Sequence, residues 1–266
     1  MDLLHPLLAV LSGGLVGFTL GLIGGGGSIL ATPLLLYVVG LGPHEAIGTG
    51  ALAVSVNAFA NFGGHARAGN VRWRSAILFA LVGIVGAAIG SSLGKSFDGK
   101  RLLFLFAMLM VVVGVLMLRR GRRAAARLRA GTEPAAETGR GVLLVVLAAL
   151  SVGTLSGFFG IGGGFLIVPG LLFSTGMPMI FAVGSSLLAV GSFGLTTAAT
   201  YAASGLVDWT VAGEYIAGGI AGGLLGMALA VRLASRKAAL TRIFAGVIFV
   251  VAAYMLYRNA AALGIG

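Results

Sequence analysis

Four short segments of this 266-residue chain carry residue types that could hold an anion without a charged side chain. Two are glycine runs: Gly24, Gly25, Gly26 and Gly27 closed by Ser28, and Gly160 followed by Gly162, Gly163 and Gly164. Each consecutive glycine destabilises a helix by roughly 1 kcal/mol, so each run marks a break. A short apolar stretch follows each, Ser28 to Leu36 and Phe165 to Leu172. At the start of such a half-helix, free N–H groups and the positive dipole end point back at the break and favour anions. In lipid such a break is tolerated only where protein or a water-filled cavity satisfies the backbone. The other two segments are Gly48-Thr49-Gly50 and Gly184-Ser185-Ser186. Their hydroxyls either satisfy a helix start or donate to a bound oxyanion. Ser55 and Asn57, and Ser192 with Thr196 and Thr197, are polar groups inside apolar runs. They suit either helix-to-helix hydrogen bonds or the lining of a path.

Other chemistries fail on the residues. Gly94-Lys95-Ser96 hints at a phosphate loop, but Ile89 stands where its first glycine belongs. The glycine runs lack the βαβ surroundings of a dinucleotide site. The histidines, His5, His44 and His65, are scattered, and no cluster has metal-ligand spacing. No metal, cofactor or catalytic residue is expected. His44 with Glu45, His65 with Arg67, and Glu214 fall near segment ends, where interfacial placement is the plain reading; proton coupling through one of them is the alternative.

The elements that must position these groups are membrane helices. Hydrophobic residues make up 58% of the chain and charged residues 9%, against about 25% charged in soluble domains. A soluble fold could not cover itself with so few polar groups, which excludes a soluble enzyme. The net charge of +11 does not indicate nucleic acid. Seven of the 18 basic residues fall between Arg119 and Arg140, the pattern of a cytoplasmic loop. No basic residue precedes the first apolar run, so that run is expected to stay as a helix rather than serve as a cleaved signal.

The chain also repeats itself at an offset of 136 residues, which sets Gly24 on Gly160, Pro33 on Pro169, Gly48 on Gly184 and Trp73 on Trp209. These are the chain's two tryptophans, read as interfacial anchors. The expected fold is all-α and polytopic: a first repeat over 1–118, a basic cytoplasmic linker over 119–140 and a second repeat over 141–266. Each repeat has about four apolar segments, near 7–41, 44–63, 75–94 and 102–118, then 142–176, 180–203, 210–231 and 238–257. The first of each set is too long for one straight crossing. If it acts as a hairpin, the halves are inverted and four basic residues fall outside; if it crosses once, the halves are parallel and seven do. The positive-inside rule favours inverted repeats. Gly86, Gly90 and Gly94, and Gly218, Gly222 and Gly226, have the small-xxx-small spacing of close helix packing.

The runs GLIGGGGSILATPLLL and AIGTGALAV, with GIGGGFLIVPGLL and AVGSSLLAV in the second half, resemble the TauE/SafE family over roughly residues 7 to 257. The resemblance implies a bacterial cytoplasmic-membrane secondary transporter that exports small sulfur-containing anions such as sulfite and organosulfonates. It also implies that the glycine runs, with Ser28, Gly48, Thr49, Gly184, Ser185 and Ser186, are the segments that bind substrate. An anion channel of the same architecture and a non-transporting scaffold or enzyme subunit are the rival readings. The expected partners are the small anion and the lipid bilayer, with no nucleic acid. Substrate identity, coupling ion and oligomeric state are not legible at this level.

Overall fold

Runs of apolar residues longer than a bilayer is thick must bury their backbone polar groups internally, and helices do so within one segment. The computed structural model describes residues 4–129, 142–160, 164–233, 246 and 249–257, and every element among them is helical. The chain opens with α1 (Leu4–Ile23), a 3-10 turn (Gly24–Leu30), α2 (Ala31–Leu34) and a π turn (Leu35–Val39). Next come α3 (Pro43–Arg67), α4 (Trp73–Lys95) and α5 (Gly99–Arg129). Beyond the linker lie α6 (Val142–Phe159), α7 (Gly164–Thr175), α8 (Met179–Ala202) and α9 (Trp209–Leu233). Residues 249–257 are again helical. Six helices are long and apolar enough to cross a bilayer: α1, α3, α4, α6, α8 and α9. Ser28–Val39 and Gly164–Thr175 are shorter apolar helices. The protein is a multi-pass membrane protein. Half of the expected last segment, 238–257, falls outside the described residues.

Two features depart from the sequence reading. The linker does not begin as a loop: α5 continues past Leu118 to Arg129. Its Arg-, Ala- and Leu-rich sequence is made of strong helix formers, so the basic stretch extends a helix already under way. The first half-helix is also less regular than expected, passing from 3-10 through α to π geometry. Pro33 removes one backbone donor within it.

Both breaks turn on a left-handed glycine, Gly24 at φ 69° and Gly160 at φ 66°, a conformation that other residues rarely adopt. After the first break the chain doubles back. His5 Nε2, near the start of α1, lies 3.0 Å from the Val39 carbonyl oxygen. The long first segment is therefore a hairpin and not one crossing.

Glycine faces set the helix pairs. Gly13, Gly17 and Gly21 of α1 meet Tyr215, Gly219 and Gly223 of α9 in the same order, so these helices run parallel. A Cβ at Gly17 would fall on the Gly219 carbonyl oxygen. Gly86, Gly90 and Gly94 of α4 meet Leu150, Thr154 and Phe158 of α6, again in parallel. The central pair, α3 and α8, is antiparallel: Gly194 stands at Ala51 and Gly191 at Phe59, with Ser55 between them. The opposite face of α4 carries Ile77, Leu81, Val85, Ile89 and Leu93, all exposed at four-residue spacing. Such a stripe belongs against lipid. Trp73 and Trp209 are exposed at the starts of α4 and α9, where interfacial anchors are expected.

Candidate functional site

The two breaks meet inside the bundle. A Cβ at Gly25 would stand 2.6 Å from the Gly164 carbonyl oxygen, and one at Gly164 would fall on the Gly25 carbonyl oxygen. Only residues without side chains allow this approach. The Gly25 N–H donates to Ser186 Oγ at 3.1 Å, and Ser186 Oγ donates in turn to the Val183 carbonyl at 2.8 Å. Ser28 Oγ donates to the Gly25 carbonyl at 2.9 Å and is fully buried. Gly24 packs on Val183, and Gly160 packs on Ile47. Thus Gly25, Ser28, Gly164 and Ser186 converge on one buried point, fed by the first break, the start of α7 and the start of α8. Gly26 and Gly27 lie within the 3-10 turn at this point. Gly162 and Gly163 fall outside the described residues.

Gly48, Thr49, Gly184 and Ser185 are drawn away from that point by another task. Thr49 Oγ1 accepts the Asp208 N–H at 2.9 Å, and Ser185 Oγ accepts the Arg72 N–H at 2.9 Å. Gly48 lies against the Leu206 carbonyl and Gly184 against the Asn70 carbonyl. These dipeptides dock the turns that precede α9 and α4. They satisfy backbone, as a helix-start hydroxyl would, but the backbone belongs to a distant segment. Ser55 Oγ donates to the Gly191 carbonyl at 2.6 Å and ties α3 to α8. Ser192 Oγ donates to Leu188 of its own helix at 2.9 Å.

Asn57 is different. It is fully buried, its amide lies against Gly219, and neither its Nδ2 nor its Oδ1 has a hydrogen-bond partner. Asn61 and His65 continue the same face of α3 at four-residue spacing, and both are buried. Asn61 Nδ2 donates to the Asn57 carbonyl at 2.8 Å, and His65 Nε2 lies 3.3 Å from the Gly21 carbonyl. The sequence reading set His65 at an interface, because it stands two residues before Arg67 at the end of an apolar run. Its burial follows from Gly21 opposite, which leaves room for an imidazole. Asn61 went unnoticed; the Asn57, Asn61, His65 spacing on one helix face was the available signal. Glu214 is half-buried, and its Oε2 has no partner.

The junction is buried and glycine-lined, with the Gly25 N–H and the Ser28 and Ser186 hydroxyls gathered at it. A "Probable membrane transporter protein" of Xylella fastidiosa strain Temecula1 is 58% identical over 268 residues, covering 99% of each chain. The probable membrane transporter protein YunE of Bacillus subtilis is 27% identical over 223 residues, which is 77% of this chain and 81% of that one. A probable membrane transporter protein of Methanocaldococcus jannaschii is 27% identical over 177 residues. No solved structure matches. The family model described as "Sulfite exporter TauE/SafE" matches residues 9–255, and this membrane transporter belongs to that family.

Proposed function

We propose that the protein is a secondary transporter that exports small sulfur-containing anions, sulfite or organosulfonates, across the cytoplasmic membrane by alternating access. The observation that carries this reading is the meeting of Gly25 and Gly164 with Ser28 and Ser186 around them. Two half-helices start there, and half-helix starts are where transporter folds hold anionic groups. The donors at this point are taken by Ser186 Oγ and by the Gly25 and Val183 carbonyls, which satisfies these buried groups. An arriving oxyanion takes those donors in exchange, so binding opens the contact between the breaks.

The rocking parts are two inverted repeats, residues 1–118 and 141–266, joined by the basic linker. Support comes from the direction of the helices. The parallel pairing of α1 with α9 and of α4 with α6 is related by the 136-residue offset, and α3 and α8 run antiparallel. The docking bonds from Thr49 to Asp208 and from Ser185 to Arg72 obey the same offset. The hairpin at His5 and Val39 supports the arrangement that leaves fewest basic residues outside.

The test is radiolabelled sulfite flux in proteoliposomes, with sulfate and sulfoacetate as competitors. Saturable flux inhibited by a competitor is expected. Flux that does not saturate would mark a channel, and no flux with any of the three anions would remove the sulfur-anion assignment.

A further inference from the structure

An amide with no partner, sealed in a helix crossing, calls for a cause. The 136-residue offset sets Asn57 on Phe193, Asn61 on Thr197 and His65 on Tyr201. Phe193 fills the slot against Gly83 with a ring, so packing alone is met there by an apolar side chain. Asn57 occupies the matching slot against Gly219 and leaves both amide atoms unpaired. An apolar residue would avoid that desolvation loss.

The three polar residues form a ladder along α3, from the level of Ser55 at the helix centre toward the end that carries Arg67. Gly21, on which His65 is anchored, precedes the break at Gly24 by three residues, about one helical turn or about 5 Å. His65 is therefore the rung nearest both the break and the Arg67 face, with Asn61 behind it at Gly223 and Asn57 further back at Gly219, opposite Gly17. The basic end of α5 belongs to that same face, because α5 starts beside Pro43 at the other end of α3.

His65 is also chemically distinct. No Lys, Arg, Asp or Glu is fully buried among the described residues, and His65 is their one buried histidine. Its Nε2 faces a carbonyl, which accepts only, so that nitrogen carries the hydrogen. Nδ1 then holds a free lone pair and has no partner. Titratable and charged groups on the packed elements stand elsewhere. On α1, His5 is at the opposite end, bonded to Val39. On α9, Glu214 and Tyr215 lie at the level of Gly13, eight residues from Gly21, and Arg232 is exposed. Tyr201 of α8 lies beside Gly48, and Arg67 and Arg72 are exposed. At its own level His65 meets Gly21 of α1, while Asn61 and Gly64 beside it meet Gly223 and Met227 of α9.

We propose that His65, about one helical turn of α1 from the break, is the proton-coupling group of this transporter and that Asn61 and Asn57 extend the polar face behind it. Nδ1 takes a proton from water on the linker side, while the Nε2–H stays on the Gly21 carbonyl. The imidazolium beside a bound monoanion makes a neutral loaded state, which crosses a low-dielectric bundle far more readily than the anion alone. The proton returns to water when the anion leaves, so anion and proton travel in one direction. The inference rests on the transport reading above.

The test compares the wild-type protein with His65→Gln, whose amide can still donate to Gly21, in proteoliposomes with radiolabelled sulfite. The exterior is one pH unit more acid, and the potential is clamped with valinomycin and equal potassium. Sulfite's own protonation contributes equally to both proteins. Coupling to one proton adds about tenfold accumulation per pH unit, so the wild-type plateau is expected about tenfold above that of the variant. Equal plateaus, or wild-type depletion in place of accumulation, would overturn the proposal. If folded His65→Gln shows no flux, proton uptake on sulfite binding is read with a pH dye in detergent. Uptake by the wild-type protein, about one proton more than the variant takes, supports the proposal, and equal uptake overturns it. A wild-type protein that moves none of the three anions fails earlier, at the transport reading, and takes this inference with it.

Discussion

Ser186 ties the first break to α8: it accepts the Gly25 N–H and donates to Val183 of its own helix. Ser186→Ala leaves the buried Gly25 N–H without an acceptor, a loss of roughly 1–3 kcal/mol. We expect a lower thermal midpoint in detergent and weaker sulfite binding, read by competition in the flux assay. Loss of stability with unchanged sulfite affinity would reduce Ser186 to a structural tie. Thr49 and Ser185 make the contrasting pair. Each accepts one backbone N–H from a turn in the other half of the chain. Thr49→Val and Ser185→Ala are each expected to lower stability by about 1 kcal/mol and to spare sulfite affinity. A large affinity loss in either would restore the hydroxyl to the anion site.

At the scale of the element, glycine position decides between packing and freedom. Gly17 of α1 touches the Gly219 backbone of α9, and its Cβ would overlap a carbonyl oxygen that cannot move without its helix. Gly17→Leu should therefore separate α1 from α9 and abolish the monodisperse peak in size-exclusion chromatography. Gly213 of α9 is exposed, with nothing near its missing Cβ. Gly213→Ala should stabilise by about 0.5–1 kcal/mol through helix propensity alone, seen as a small rise in thermal midpoint. If both variants behave alike, the helix contact is not what Gly17 supplies. Lys95, a basic residue on the face away from the linker, has a local explanation. Its Nζ donates to the Thr200 carbonyl at 3.2 Å and to Ser204 Oγ at 2.8 Å, fastening the end of α4 to the end of α8.

At the scale of the whole molecule, the antiparallel course of α3 and α8 puts their C-terminal ends on opposite faces of the bundle. The chain has no cysteine, so single cysteines report cleanly. Ala68→Cys and Ala203→Cys sit in the exposed turns after α3 and α8. In intact cells, an impermeant maleimide is expected to label Ala203→Cys from outside and Ala68→Cys only after permeabilisation. Labelling of both from one side would rule out the inverted arrangement.

The sequence alone determined the solvent of this protein and the sites where its helices break. Hydropathy runs, caps and glycine runs are local properties, legible within a window of twenty residues, and the 136-residue register needs only the letters. It also marked the residues that meet at the break, Gly25, Ser28, Gly164 and Ser186, although it could not separate them from Gly48, Thr49, Gly184 and Ser185. That separation depends on partners 113 to 161 residues away. A hydroxyl in an apolar run has the same local signature whether it faces a docking turn or a break. Only the tertiary structure decided which. It also buried His65, because a glycine on another helix stands where a larger residue would have pushed the imidazole toward the interface. Burial of a polar side chain is set by what lies opposite, and no window along one strand of sequence contains that.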